Sequence, residues 1–234
     1  MALPFFYISA YSGGQQLITL DEDTSRHVVQ VLRMKVGEQL HLTDGLGHLL
    51  MAEITDDHKK HCTVAVRDIK FTPAAERNVT IAISNIKNAS RFEWFLEKAS
   101  EVGITEIIPL VCERTEKERF RYDRMNAICI SAMLQSQQVW LPRLSEPQPF
   151  KEVLEQSTAS AKYIAHCEEG PKNPLADQEP AANTLLLIGP EGDFTRNEIE
   201  LAIQHYFMPV SLGNTRLRTE TAGVVAAVLL KYSS

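Results

Sequence analysis

Apolar residues recur along the first seventy positions in short alternating runs separated by turn formers. Phe5–Ile8, Gln39–Thr43, Leu49–Ile54 and Cys62–Val66 have the length and period of strands. Asp44-Gly45-Leu46-Gly47, between the second and third, is a hairpin signal because Asp-Gly readily supplies positive φ angles. Asp23-Thr24-Ser25 can cap a helix running through Val28, Val31 and Leu32. The pattern predicts a small β-barrel over residues 1–72.

Beyond Phe71-Thr72-Pro73-Ala74-Ala75 the period changes, and strands begin to alternate with helices over residues 73–234. Val79–Ile83 reads as a buried strand, and Ser90 with Glu93 as a capping box for a helix burying Phe92, Phe95, Leu96, Ala99 and Val102 and ending at Gly103. A strand over 105–111 follows, then a helix capped by Asp123 with Met125, Ile128, Ala132 and Met133 on one face. Further strands are expected over 162–166, 184–188 and 208–212. Thr195 and Glu198 repeat the capping box before a helix with Ile199, Ala202, Ile203 and Tyr206 inward, and a last apolar helix runs from Thr219 to about Tyr232. Strands separated by helices require crossover connections and a parallel sheet, so the fold class is α/β.

Composition narrows the chemistry. The 234 residues carry a formal net charge of −6, which argues against indiscriminate coating of nucleic acid but leaves room for local cationic patches. Arg26, Arg33 and Lys35 form one patch; Arg114, Lys117, Arg119, Arg121 and Arg124 form another, interleaved with Glu113, Glu116 and Glu118, and read either as a solvated loop or as a phosphate-binding surface. No apolar stretch is long enough to span a bilayer, so a cytoplasmic protein without membrane partners is expected. Cys62, Cys112, Cys129 and Cys167 lie far apart without a C-x-x-C pair; they read as reduced thiols, and no metal is expected. The glycine fingerprint of dinucleotide enzymes, the P-loop and a serine nucleophile elbow are all missing from the sequence.

The chemistry-bearing segments lie near the C-terminus. Leu185–Ile188 breaks into Gly189-Pro190-Glu191-Gly192-Asp193, and Leu212-Gly213-Asn214 and Leu217-Arg218-Thr219-Glu220-Thr221-Ala222 follow. Each lies after a strand or before a helix, where α/β folds present backbone N–H groups to nucleotide-like ligands. Glycines let a ligand approach the main chain, and proline stiffens the loop. The first tetrapeptide alone fits an ordinary strand-to-helix turn equally well; the three segments together favour a ligand site.

Taken as an ordered set, these segments resemble the knotted SPOUT methyltransferases and, within them, the RsmE family of small-subunit ribosomal RNA uridine-N3 methyltransferases. The likeness extends to Arg26-His27 with Val31-Leu32-Arg33 and Gly37, to Glu97-Lys98-Ala99-Ser100-Glu101-Val102-Gly103-Ile104 with Ile108-Pro109, and to Gln135-Ser136 before Pro142. Three positions depart from the family pattern. Val28 replaces a second histidine, Gln137-Gln138 stands for Gly-Arg, and Asp193 for the second glycine of a Gly-Gly pair.

The resemblance implies a C-terminal trefoil knot, an N-terminal PUA-like barrel that helps hold RNA, a homodimer with the site at its interface, and S-adenosylmethionine (SAM) as methyl donor. It further implies a uridine N3 of 16S rRNA as target, expected in the assembled small subunit. Carried onto this sequence, cofactor contacts fall on Ile188, Gly189, Pro190, Glu191, Gly192, Leu212, Gly213, Asn214, Leu217, Arg218, Thr221 and Ala222. RNA contacts fall on Arg26, His27, Arg33, Lys35, Arg114, Arg119, Arg121 and Arg124. Uracil N3 is protonated at neutral pH, so a base or a donor to O2 or O4 is needed. Arg218 is the candidate donor, with an ion pair to a carboxylate as its structural alternative, and Glu191 or Glu220 the candidate base. Rival expectations are a SPOUT enzyme acting on another RNA or base atom, and a non-catalytic RNA-binding protein of this fold.

Overall fold

Alternation in the N-terminal region does become a barrel-like sheet. In the computed structural model, which describes residues 3–9, 11–116 and 120–232, β1 (Phe5–Tyr7), β2 (Leu17–Thr19), β3 (Gln39–Thr43), β4 (His48–Asp56) and β5 (Thr63–Phe71) pair in the order β1-β3-β4-β5-β2. Leu40, Leu42, Leu50, Ala52, Ile54 and Val64 are buried, as the period of two requires. The hairpin turn at Asp44–Gly47 is held by the buried Asp44: its Oδ1 accepts from Leu46 N (2.8 Å), and its Oδ2 lies 2.7 Å from His48 Nδ1. Gly45 and Gly47 supply the positive φ angles.

Two local readings need correction here. The helix α1 (Glu22–Arg26) is capped by Asp21, whose side chain accepts from Thr24 N, rather than by Asp23 to Ser25. It then widens into a π-helical turn over His27–Val31, which buries Val28 but leaves Val31 and Leu32 exposed, and ends with Arg33 at φ 58°.

The chain forms two compact units. The first runs to Ala74 and also contains Met133–Leu141; the second holds Ala75–Ala132 and the chain from Pro142 onward. Within the first unit the returning segment is fixed by Gly47 N to Val139 O, Leu141 N to Gly45 O and Trp140 Nε1 to Thr72 O, each 2.9 Å. Gln137 in this segment has φ 56°. The position where the family pattern has glycine is thus a left-handed one, which a side chain adopts only at a steric cost.

In the second unit every strand pair is parallel: β6 (Asn78–Ser84), β7 (Glu106–Val111), β8 (Arg143–Leu144), β9 (Gln148–Pro149), β10 (Ala161–Ala165), β11 (Asn173–Pro174), β12 (Asn183–Ile188) and β13 (Met208–Ser211). The order is β11-β13-β10-β12-β6-β7-β8, with β9 beside β7. The helices are α2 (Ala89–Val102), α3 (Tyr122–Gln135), α4 (Phe150–Gln156), α5 (Arg196–Gln204) and α6 (Thr219–Tyr232). Among the described residues, no helix is long and apolar enough to cross a membrane.

Helix α2 starts two residues earlier than the Ser90 box suggests: Asn88 is the cap, accepting from Ser90 N, and Glu93 pairs with Arg124 instead. Gly103 ends it in the left-handed conformation. The Thr195–Glu198 capping box is formed in full. Of the expected α5 face only Ile199 and Ala202 are buried; Ile203 is exposed within the helix, Tyr206 lies beyond its end at Gln204, and Phe207 fills the core instead.

Helix α6 packs on α2 and β6 through Gly223, where a Cβ would lie 2.5 Å from Phe95 Cε2 and 2.9 Å from Ile83 Cδ1. Gly223→Ala should therefore destabilise the fold by about 1–3 kcal/mol, the range for overpacking. Denaturant unfolding measures it, and an unchanged midpoint would contradict this packing. Gln137→Gly should act in the opposite direction, raising Tm by a few degrees through relief of the left-handed backbone; a lower Tm by calorimetry would oppose that account.

Candidate active site

Three neighbouring strands end at one level: Ala165 of β10 pairs with Ile188 of β12 and with Val210 of β13. The chains that leave these ends enclose a cavity of about 620 Å³. Because parallel strands point their carboxyl ends the same way, all three loops reach the same side of the sheet.

The β12 loop is a tight turn. Asp193 N donates to Pro190 O at 2.9 Å, and the buried Phe194 ring is so close to Gly189 that a Cβ there would lie 3.0 Å from Phe194 Cδ2. Asp193 has φ 62°, again where the family pattern has glycine. Its carboxylate compensates with two bonds: Oδ1 accepts from Phe194 N (2.9 Å) and Oδ2 from Cys167 N (2.7 Å), tying the β12 loop to the β10 loop.

The third wall runs from Ser211 to Arg218 and enters α6. Ala222 N donates to Arg218 O (2.8 Å), so Arg218 occupies the cap position and α6 points the N–H groups of its first turn toward this wall. Thr219, buried, donates through Oγ1 to Gly189 O at 3.1 Å and locks the helix start to the β12 loop. Gly213, at φ 126°, has no atom near the position of a Cβ, so its face is open to a ligand.

Ten of the twelve residues expected to hold a cofactor line this cavity: Ile188, Gly189, Pro190, Glu191, Leu212, Gly213, Asn214, Leu217, Arg218 and Ala222. Gly192 and Thr221 stand outside the lining; the Gly192 carbonyl accepts from Arg114 Nη1 at 2.7 Å. Among the described residues, Arg218 makes no ion pair with Glu191 or Glu220. Glu220 lies outside the lining and is buried, with Oε1 3.6 Å from Arg91 Nε and Oε2 enclosed without a hydrogen-bond partner among the described residues. That placement suits a structural ion pair better than a base meeting substrate.

Sequence reasoning missed His166, Cys167 and Lys172, which contribute the β10 side of the wall. No motif marks that loop; only the strand order brings it here. The His166 imidazole has both nitrogens enclosed without hydrogen-bond partners among the described residues, and burial, aided by the Lys172 charge, pushes its pKa below the usual histidine range. It is therefore a neutral ring in the wall. Arg216, also unforeseen, adds a third cation to Lys172 and Arg218 in a lining that also holds Glu191 and Asp193.

The expected RNA-binding residues divide between the units. Arg26 pairs with Glu22 (2.9 Å), Lys35 with Asp57 (3.3 Å) and Arg124 with Glu93 (2.7 Å), all through well-exposed cationic side chains. His27 stacks edge-on against Phe6 with centroids 5.7 Å apart. Arg33 and Arg121 are exposed, and Arg119 lies outside the described residues.

Comparison with known proteins gives this arrangement a context. A model of the RNA methyltransferase domain matches residues 73–231, and one of the RNA methyltransferase PUA domain matches residues 20–67. The ribosomal RNA small subunit methyltransferase E of Synechocystis is 31% identical over 89% of this chain and 71% of its own length. That of Rickettsia conorii is 28% identical over 94% and 91%. Among solved structures, a probable rRNA-methyltransferase from Porphyromonas gingivalis is 38% identical, covering 96% of this chain and 95% of its own, with a TM-score of 0.88. The small subunit methyltransferase E of Neisseria gonorrhoeae, solved bound to S-adenosylmethionine, is 29% identical over 97% and 95%, with a TM-score of 0.86. With a PUA-like unit ahead of a parallel α/β unit and this agreement along nearly its whole length, the chain belongs to the ribosomal RNA small subunit methyltransferase E family.

Proposed function

We propose that this protein transfers a methyl group from SAM to N3 of a uridine in 16S rRNA, acting on the assembled small ribosomal subunit in the cytoplasm. The observation that carries the reading is the cavity at the strand ends, whose composition suits SAM. Ile188, Leu212, Leu217 and Ala222 offer apolar surface for an adenine ring, Gly213 leaves the main chain open, and the start of α6 favours a carboxylate. Neutral His166 adds no charge against a sulfonium.

When bound, SAM supplies an electrophilic methyl group and a good leaving group, so the protein's task is to bind, orient and exclude water. Main-chain groups of the β12 loop and of residues 212–217 hold the cofactor in this reading. Arg218 donates to O2 or O4 of the uracil as negative charge develops there, and Glu191 receives the N3 proton, leaving the N3 lone pair to take the methyl group. Arg218 is free of carboxylate partners among the described residues, which supports the donor role.

The Watson–Crick edge must be unpaired for N3 to be reached, so the target base is held out of its helix. Arg26, His27, Arg33 and Lys35 from the first unit, and Arg114, Arg119, Arg121 and Arg124 from the second, contact phosphates. The exposed ion pairs of Arg26, Lys35 and Arg124 are weak in water and easily exchanged for phosphate contacts. The work divides between residues 1–72, which grip RNA, and residues 73–234, which bind SAM in a trefoil-knotted domain. The active form is a homodimer, a reading supported by the apolar α6, which exposes Val228 and Tyr232.

The deciding assay is transfer of labelled methyl from SAM to small subunits purified from cells lacking this protein, followed by nucleoside analysis. N3-methyluridine is the expected product; label in another nucleoside, or none, would contradict the reading. Arg218→Ala should lower kcat by about 10²–10³-fold, the cost of removing one donor to a developing oxyanion, with little change in SAM affinity. Unaltered turnover would take Arg218 out of the mechanism.

A further inference from the structure

Arg114 is joined to the β12 loop, which forms part of the cavity wall. The loop after β7 is tied to the stretch from the β12 loop to the first turn of α5 at three points: Glu113 N donates to Glu198 Oε1 (2.8 Å), Thr195 Oγ1 donates to Glu113 Oε2 (3.2 Å), and Arg114 Nη1 donates to Gly192 O (2.7 Å). On its other side the loop is anchored to the sheet, where Cys112 N donates to Thr115 Oγ1 (2.8 Å) and the Thr115 and Ser84 hydroxyls lie 2.7 Å apart. The loop is therefore a firm support rather than a loose strap.

Of these ties, the Arg114 bond reaches closest to the cofactor cavity. Gly192 stands between Glu191 and Asp193, both in the lining, and the peptide whose carbonyl Arg114 holds is the one whose N–H closes the turn onto Pro190 O. The arginine stem lies alongside Gly192, where a Cβ would make ordinary van der Waals contact, 3.4 Å from Arg114 Cδ. A bond from a cation to a carbonyl is among the stronger hydrogen bonds a protein makes. Arg114 is exposed, and among the described residues its remaining N–H groups have no protein partner, which leaves them to an anion.

We propose that Arg114 is a positioning residue that couples the two substrates. One N–H holds the β12 loop in its cofactor-binding shape, and the others meet a phosphate of the incoming RNA, so each substrate steadies the residue the other depends on. Linkage then requires small subunits to tighten SAM binding by the same factor as SAM tightens binding of small subunits. The inference rests on the reading of the cavity as a SAM site.

Calorimetry with SAM tests it on the full chain, for the unaltered protein and for Arg114→Met and Arg114→Lys, each with and without small subunits. Arg114→Met keeps a stem against Gly192 but removes both charge and donor, and should weaken SAM binding about tenfold and abolish the tightening by subunits. Arg114→Lys, which can still donate to one carbonyl, should recover most of the SAM affinity. SAM affinity equal to the unaltered protein in Arg114→Met would overturn the proposal, as would weakened SAM binding with the tightening by subunits intact. Failure of the unaltered protein to bind SAM would instead overturn the reading of the cavity itself. A purely structural role would lower the melting temperature of Arg114→Met while leaving the tightening in place.

Discussion

The level ending of β10, β12 and β13 is the constraint from which the site follows. Ala165, Ile188 and Val210 are register partners across three parallel strands, so the residues after them leave the sheet together and must satisfy their backbone groups in the same small volume. They do so partly on one another: Asp193 binds Cys167 N, Thr219 binds Gly189 O, and Pro190 O closes the turn. What remains unsatisfied, the start of α6 and the open face at Gly213, faces the cavity. A slip of one residue in any pairing would turn side chains to the opposite face and dissolve these ties.

Backbone conformation explains both departures from the family pattern in loops. Gln137 and Asp193 occupy left-handed positions where glycine is the unstrained choice. Asp193 makes up the cost with two short hydrogen bonds that bind neighbouring loops. Gln137 is exposed, and its backbone N–H donates only to the local Leu134 O. The two substitutions therefore differ in kind: one adds a tie to the cavity wall, while the other is borne as strain at the edge of the first unit.

Local chemistry was the readable part of the sequence. The Thr195 box, the Gly103 stop, the Asp44 hairpin and the start of α6 at Thr219 all depend on residues within a turn of one another, and each formed as expected. Where the reading failed, a distant partner decided. Glu93 left its box for Arg124, Tyr206 yielded the core to Phe207, and His166, Cys167 and Lys172 joined the cavity through strand order alone. Arg114 looked like one member of a cation run; its bond to Gly192 spans 78 positions of sequence and leaves no local trace. The short β2, β8, β9 and β11 carry too few residues to establish a period.

The central claim is that one cavity, at the ends of β10, β12 and β13, receives the methyl donor. A crystal structure of the protein grown with saturating SAM tests it most directly. The account predicts density for the cofactor between the β12 loop and residues 212–217, with its methyl group open to the side where Arg218 and Glu191 stand. Density elsewhere, for instance in the polar cleft lined by Asn78, Glu106 and Asn183 at the opposite ends of the strands, would contradict it.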